Sequence, residues 1–493
     1  MVEYSSTRGN GRAKDAAEAI IQGIAEDNGL FVPGKIPELP FDIEAMMGRP
    51  YRDFAYEIIR RFFTDYADDV IKACVYGAYD GKFEKREIVP VVRGGDAFFL
   101  ELYHGKTAAF KDIALSILPY LLTAAMEKKK EEKKICILTA TSGDTGKAAL
   151  EGFANVPGTE IIVFYPNRGV SEVQERQMIT QEGGNTHVFA INGNFDDAQT
   201  GVKEIFGDDA FAFELAKKGY RLSSANSINI GRLIPQVVYY VYGYAQLVYE
   251  GAVKNGDTIN ITVPTGNFGN ILAAYYAKEM GLPVNKLICA SNENNVLTDF
   301  INTGRYDANR GFRVTNSPSM DILISSNLER LLYHLSGADS AEIRGLMASL
   351  DKTGEYEVGG AVKKGLEAFY GGFADARATN ETIGAMYANN GYLIDTHTAV
   401  AYKVYEDYRK KTGDETATLI AATASAYKFA DSVASAIGLG EEPDGFAYVK
   451  SLSEYTGVKV PKALDGLQTK QIRHTGTINI ADMRGSVEKA LAK

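Results

Sequence analysis

The sequence predicts an α/β protein in which a mostly helical N-terminal unit, residues 1–90, precedes a body of mostly parallel sheet. Three observations carry this. Short apolar runs of strand length recur through the body with helical stretches between most of them, the pattern of parallel strands covered on both faces. Glycine-rich turns follow the carboxyl ends of two of those runs, where open α/β sheets bind ligands. At 493 residues the chain is also too long for one compact core, so two or three domains are expected.

Taken in order, Ala16, Ile20, Ile21 and Ile24 form a helical stripe that stops at Asn28-Gly29, before an extended Leu30-Phe31-Val32-Pro33. Helical spacing returns from Phe54 to Phe63 and from Val70 to Tyr79, and Val89–Val92 reads as the strand that opens the body. Ile113, Leu115, Ile117, Leu118 and Leu121 then mark a helix that starts near Lys111. Glu127–Lys134 is a charge run, read as a solvated helix end. The strand candidates that follow are Ile135–Leu138, Ile161–Tyr165, Val188–Ile191, Asn260–Val263, Leu287–Ala290 and Thr418–Ala422.

Composition excludes several functions. An apolar fraction of 45% with 24% charged residues is ordinary for a globular protein, and a net charge of −10 argues against a nucleic-acid surface. No apolar run approaches bilayer length, and the N-terminus lacks a basic-then-apolar signal, so a cytoplasmic protein is expected. Cys74, Cys136 and Cys289 lie far apart without metal-ligand spacing and read as buried thiols. The five histidines form no metal-binding cluster; His104 and His397 alone sit in motif-like surroundings, and both are read as structural.

The chemistry concentrates in three segments. His104-Gly-Lys-Thr-Ala-Ala-Phe-Lys-Asp112 sets Lys111 between the Phe110 ring and the Asp112 carboxylate. A buried lysine loses proton affinity and becomes a nucleophile toward carbonyls. Thr139-Ala-Thr-Ser-Gly-Asp-Thr-Gly146 joins a strand to a helix N-terminus, whose free N–H groups and hydroxyls suit a carboxylate or a phosphate. Gly266-Asn-Phe-Gly-Asn270 repeats that arrangement after the strand Asn260–Val263. Gly146-Lys147 does not make a nucleotide P-loop, because Thr141 stands where its first glycine belongs and Ala148 where Ser or Thr is needed. Each turn alone could simply reverse the chain. Together with Lys111 they point to pyridoxal 5'-phosphate, with the lysine as imine partner of the aldehyde, one turn for a substrate carboxylate and the other for the cofactor phosphate.

These same segments resemble threonine synthase in its long microbial and fungal form, a fold type II pyridoxal-phosphate enzyme. Ser6-Thr-Arg-Gly9, Ser224-Ala-Asn-Ser-Ile-Asn229, Ser317-Pro-Ser-Met-Asp321 and Ser325-Ser-Asn-Leu-Glu-Arg-Leu331 match that family too, so the resemblance runs from the first ten residues past Thr423. It implies two open, mostly parallel sheet lobes with the cofactor between them. The smaller is placed near residues 130–235, with the rest of 91–493 in the larger, after an N-terminal family domain. It further implies conversion of O-phospho-L-homoserine and water to L-threonine and phosphate, the last step of threonine biosynthesis.

Carried over residue by residue, Lys111 is the imine-forming lysine and proton shuttle, beside Phe110. Gly266, Asn267, Phe268, Gly269 and Asn270 cradle the cofactor phosphate, and Thr423 meets the pyridine nitrogen. Ser142, Gly143, Asp144 and Thr145 face the substrate carboxylate, Asp144 also capping the helix that follows. Arg232, with Ser227 and Asn229, is the candidate for the leaving phosphate, which a guanidinium grips in a fork. The chain departs from the family at Lys106 and Thr396, where proline is usual, and at Ser425 and Ala426, where His and Pro are expected. Two other readings stay open: a serine/threonine dehydratase, which needs no γ-phosphate site, and a catalytically silent homologue kept as a binding protein. Oligomeric state is not legible.

Overall fold

A computed structural model describes residues 1–9 and 11–492. Along the chain, β1 (Tyr4–Ser6) pairs antiparallel with β2 (Phe31–Pro33), and β3 (Val91–Gly94) turns back into β4 (Ala97–Glu101). Four parallel strands follow: β5 (Lys134–Ala140), β6 (Thr159–Pro166), β7 (Thr186–Ile191) and β8 (Tyr220–Ser224). Next come β9 (Ile259–Pro264) and β10 (Val284–Ser291), then the small ladder of β11 (Arg305–Asp307) and β12 (Glu355–Glu357). The last strands are β13 (Phe369–Phe373), β14 (Thr418–Ala422) and β15 (Gly476–Ile478).

Two sheets organise the body. The larger runs β13-β10-β9-β14-β4-β3, parallel except for β3 at its edge. The smaller runs β15-β7-β6-β5-β8 and is parallel throughout. The six strand candidates from Ile135 onward each lie within an observed strand, as expected where apolar strands are buried on both faces of a sheet. Two readings shift. The opening strand begins at Val91 rather than Val89. The smaller sheet is not confined to residues 130–235, since β15 joins its edge in register with β7 at Gly476↔Phe189 and Ile478↔Ile191.

The N-terminal unit packs on the body rather than standing apart. Tyr51, Phe54, Ile58, Ile59 and Phe62 are buried along the helix Tyr51–Phe62. Tyr51 and Phe54 meet Tyr242, on the body helix Ile230–Tyr249, edge to face at 5.3 and 5.1 Å. Thr7 and Arg8 fasten the extreme N-terminal segment by donating to the buried Glu329 carboxylate.

The helix Lys111–Lys129 carries an internal proline, Pro119, and packs against the helix Asp144–Phe153. Proline has no N–H for the carbonyl of Leu115. Gly152 lies against that carbonyl, where a Cβ would sit 2.3 Å from the oxygen. Only a glycine admits so close an approach.

Candidate active site

A cleft opens between the sheets at the carboxyl ends of β5, β9 and β14. Lys111 enters it as the first residue of its helix. Two hydrogen bonds clip its turn to the chain leaving β14: Phe110 N–H donates to the Thr423 carbonyl at 2.8 Å, and Ser425 N–H to the Ala108 carbonyl at 3.1 Å. Thr423 thereby lines the cleft beside the lysine. The Phe110 ring lies 4.6 Å from Lys111 Nζ.

The carboxylate that meets Lys111 is not its sequence neighbour. Asp112 is turned inward, accepting from Thr107 N–H at 2.8 Å and Thr107 Oγ1 at 2.7 Å, which closes the preceding turn. Asp144 takes the place expected of it, with Oδ2 at 3.3 Å from Lys111 Nζ. Its other oxygen lies 2.7 Å from Lys428 Nζ and accepts from Gln174 Nε2 at 2.8 Å. Asp144 therefore does not cap its helix, as the sequence reading had it; the cap position is Gly143, and the first-turn N–H of Gly146 is met by Thr141 instead.

Burial pushes the Lys111 pKa down, and the charges of Arg232 and Lys428 act the same way, outweighing the pull of Asp144. Burial would raise Asp144, but the Lys428 and then the Lys111 ammonium hold its carboxyl well below the usual range. The two directions are compatible because one carboxylate serves two lysines. Asp144 stays ionised while Lys111 gives up its proton readily.

Ser142, Thr145, Ser227 and Arg232 line the same cleft. Thr141 shapes the first turn, its Oγ1 accepting from Gly143 N–H at 2.9 Å and Gly146 N–H at 2.8 Å. Gly143, at φ +126°, lies behind the cleft against Gln174, where a Cβ would come within 2.6 Å. Asn229 does not face the cleft either. Its side chain is spent on Ile20 and Ser224 carbonyls and on Gly231 N–H, capping the helix Ile230–Tyr249. Lys147 turns to Glu151 and Gln181, away from any phosphate position.

Arg232 is 3% exposed, so its charge is desolvated. Its Nη1 donates to the Ala225 carbonyl at 2.8 Å and its Nη2 to Thr145 Oγ1 at 3.4 Å, and neither partner is anionic. Its Nε is buried without a partner, and burial lowers its pKa to about 10. A buried guanidinium so placed awaits an anion.

The second turn fits a phosphate by the same measure. Phe268 adopts the left-handed conformation at φ 62° and the helix Gly269–Glu279 begins at once, aiming its first N–H groups into the cleft. Gly266 passes so close to Ser319 that a Cβ would lie 2.6 Å from its carbonyl oxygen. Asn270 accepts from the Tyr239 and Tyr240 hydroxyls, which leaves its Nδ2 buried and unpartnered in the cleft wall. An anion-binding turn, the Arg232 guanidinium with its unpartnered Nε, and a buried lysine whose pKa is lowered suit pyridoxal phosphate and an anionic substrate.

Sequence reading missed several contributors. Ser319 Oγ lies 3.4 Å from Lys111 Nζ. It belongs to a motif already singled out, so its spacing could have found it. His397 has both ring nitrogens engaged, Nδ1 with Asp395 at 2.8 Å and Nε2 with Ser319 N–H at 3.2 Å. Lys428 and Gln174 reach Asp144 only through the fold; the signal for Lys428 was a lone lysine within the otherwise uncharged run Ala421–Ala430. Of the departures, Thr396 is the first residue of the helix Thr396–Thr412, a position that proline also suits, and Lys106 pairs at the surface with Glu151. Ser425 caps the short turn that carries Lys428.

Residues 3–79 match the family "Threonine synthase N terminus", residues 92–424 "Pyridoxal-phosphate dependent enzyme", and residues 398–482 "Threonine synthase, C-terminal". Threonine synthase of Pseudomonas aeruginosa is 38% identical over 457 residues, covering 92% of this chain and 94% of that one. Human threonine synthase-like 1 is 39% identical over 444 residues, covering 87% of this chain; the match spans only 59% of that longer relative. The crystal structure of PLP-bound threonine synthase from Brucella melitensis superposes with a TM-score of 0.86 at 34% identity, covering all of both chains.

Proposed function

Because this chain belongs to the threonine synthase family of pyridoxal-phosphate dependent enzymes, we propose that it converts O-phospho-L-homoserine and water to L-threonine and phosphate. The observation that carries this reading is Arg232: a buried guanidinium with an unpartnered Nε, in the same cleft as Lys111 but apart from the Gly266–Asn270 turn. With the Gly266–Asn270 turn taken by the cofactor phosphate and the Ser142/Thr145 turn by the substrate carboxylate, a further buried cation in the cleft suits a phosphate on the substrate.

Pyridoxal phosphate, when bound, supplies an aldehyde for an amine and a ring that accepts the electron pair of a carbanion. Residues Gly266 to Asn270 would hold its phosphate through backbone N–H groups and Asn270 Nδ2, and Thr423 would meet the ring nitrogen as a neutral hydroxyl. Lys111, its proton affinity lowered by burial, provides the amine and takes up protons from the substrate's α and then β carbon. Ser142 and Thr145, at the N-terminus of the helix Asp144–Phe153, orient the substrate carboxylate. Arg232 orients the phosphate that leaves the γ carbon, before water adds at the β carbon.

The reaction is placed in the cytoplasm, a reading supported by three free, buried thiols; among the described residues no helix is long and apolar enough to cross a membrane. Incubating purified protein with O-phosphohomoserine should yield threonine and phosphate in equal amounts. Formation of 2-oxobutanoate from threonine, with no turnover of phosphohomoserine, would make it a dehydratase instead.

A further inference from the structure

Asp144 is shared unequally. Lys428 Nζ stands at 2.7 Å and Lys111 Nζ at 3.3 Å, on different oxygens. Lys428 is fully buried, is not part of the cleft lining, and donates also to the Thr107 carbonyl at 3.0 Å. Its own carbonyl accepts from Ser171 Oγ at 2.8 Å, while Gln174, from the same segment, donates to Asp144. Three elements thus hold one ion pair just behind the reacting amine. A buried ammonium that touches neither cleft nor solvent is costly, and its cost is offset only by the carboxylate it neutralises.

Had Asp144 only Lys111 to pair with, the proton would be locked on that amine, which is then no nucleophile. We propose that Lys428 is a positioning residue that claims the Asp144 carboxylate and so releases Lys111 as a free amine, the Lys428–Asp144 pair presenting a neutral wall to the cleft. The charged groups that bear on Lys111 are Asp144, Arg232 and Lys428; Lys428 in turn faces Asp144 and Asp112. The proposal rests on the reading of Lys111 as the reacting amine.

The test uses the full chain without cofactor, following by peptide mass spectrometry the pH at which Lys111 becomes acetylated by acetic anhydride. Lys428→Met should raise that midpoint by at least about one pH unit, cutting Lys111 labelling at neutral pH about tenfold. Lys428→Arg should hold it near wild type. Asp144→Asn, which removes the carboxylate and keeps both lysines, should lower it, and the double variant Asp144→Asn with Lys428→Met should fall between the two single ones. Melting temperatures are read alongside. A Lys428→Met protein that melts earlier yet keeps the wild-type midpoint overturns the proposal, leaving Lys428 a packing residue. Should that variant not fold, an Asp144→Asn midpoint that stays or rises overturns it equally. Loading with pyridoxal phosphate and reducing with borohydride separates the two readings: an adduct on another lysine removes the assignment of Lys111 but not the measured coupling.

Discussion

At Arg232 the guanidinium makes two hydrogen bonds to neutral oxygens and keeps Nε buried without one, so Arg232→Ala subtracts a charge that nothing else in the protein has answered. Loss of a buried charged phosphate contact costs about 2–5 kcal/mol, which is roughly 30-fold to several thousand-fold in kcat/KM for O-phosphohomoserine. Arg232→Lys should recover only part, lacking the planar fork. Absorption of bound cofactor should be untouched in both; normal kinetics in Arg232→Ala would place the phosphate elsewhere. Asp112 is the second residue whose environment dictates a measurement. Burial, only partly countered by the Thr107 hydrogen bonds, pushes its carboxyl up to about 6. Its folded-state value lies above its unfolded one, so its contribution is fully present below about pH 4 and is lost as pH rises through about 6. The loss is on the order of 3 kcal/mol. In denaturant titrations the stability of wild type relative to Asp112→Asn should therefore fall across that window as pH rises, and a pH-independent difference between them would contradict the assignment.

Among elements, the turn between β9 and the helix Gly269–Glu279 makes the sharpest demand on sequence. A Cβ at Gly266 meets a backbone oxygen at 2.6 Å, whereas at Gly269 it meets the Ser227 Cβ at 3.3 Å. Gly266→Ala must displace the Ser319 segment; Gly269→Ala needs a few tenths of an ångström. Cofactor affinity, measured by equilibrium titration of absorbance, should drop about tenfold or more in the first and much less in the second; equal affinities would mean that the turn is not the phosphate cradle. Such turns were legible because they need glycine and follow apolar strands. The strands β5, β6 and β10 were legible through the uninterrupted apolar runs they contain, β14 through Leu419–Ala422, and β9 through Ile259, Ile261 and Val263 alternating with Asn260 and Thr262. Less could be read where propensity and position disagree. Phe369-Tyr-Gly-Gly-Phe373 forms β13 although two glycines interrupt it, because Gly371 must clear the Thr298 backbone, 2.9 Å from its would-be Cβ. Lys428 and Gln174 escaped because nothing local tells a lysine which carboxylate, 284 positions away in the chain, it will neutralise. Asn229 went the other way: its motif suggested a ligand, and its side chain serves as a cap.

For the whole molecule, Arg330 joins what the sequence scatters. Fully buried, it donates to the Phe31 carbonyl in the N-terminal unit, to the Ile228 and Ser227 carbonyls beside the cleft, and to Asn327. Arg330→Ala would leave those carbonyls without donors in a dry interior, each costing about 1–3 kcal/mol. It should lower the melting temperature and, through Ser227, substrate affinity as well; a variant that changes neither would mean that the N-terminal unit and the cleft are independent. The smaller sheet offers a second test at this scale. Beyond β15, the helix Met483–Leu491 buries Met483, Val487, Ala490 and Leu491 in the core of that sheet. Deleting the chain from Gly476 onward should melt the smaller lobe first, seen as early loss of amide protection in β6 and β7 with the larger sheet still protected.

That closing strand has a consequence in time. On a ribosome, β5 to β8 emerge long before the segment that completes their sheet, and most of the larger lobe must be made in between. The edge of β7 thus waits, its hydrogen-bonding groups exposed, through the remainder of synthesis. A nascent chain of this kind should engage cellular chaperones at that edge and become independent of them only once β15 has emerged and paired.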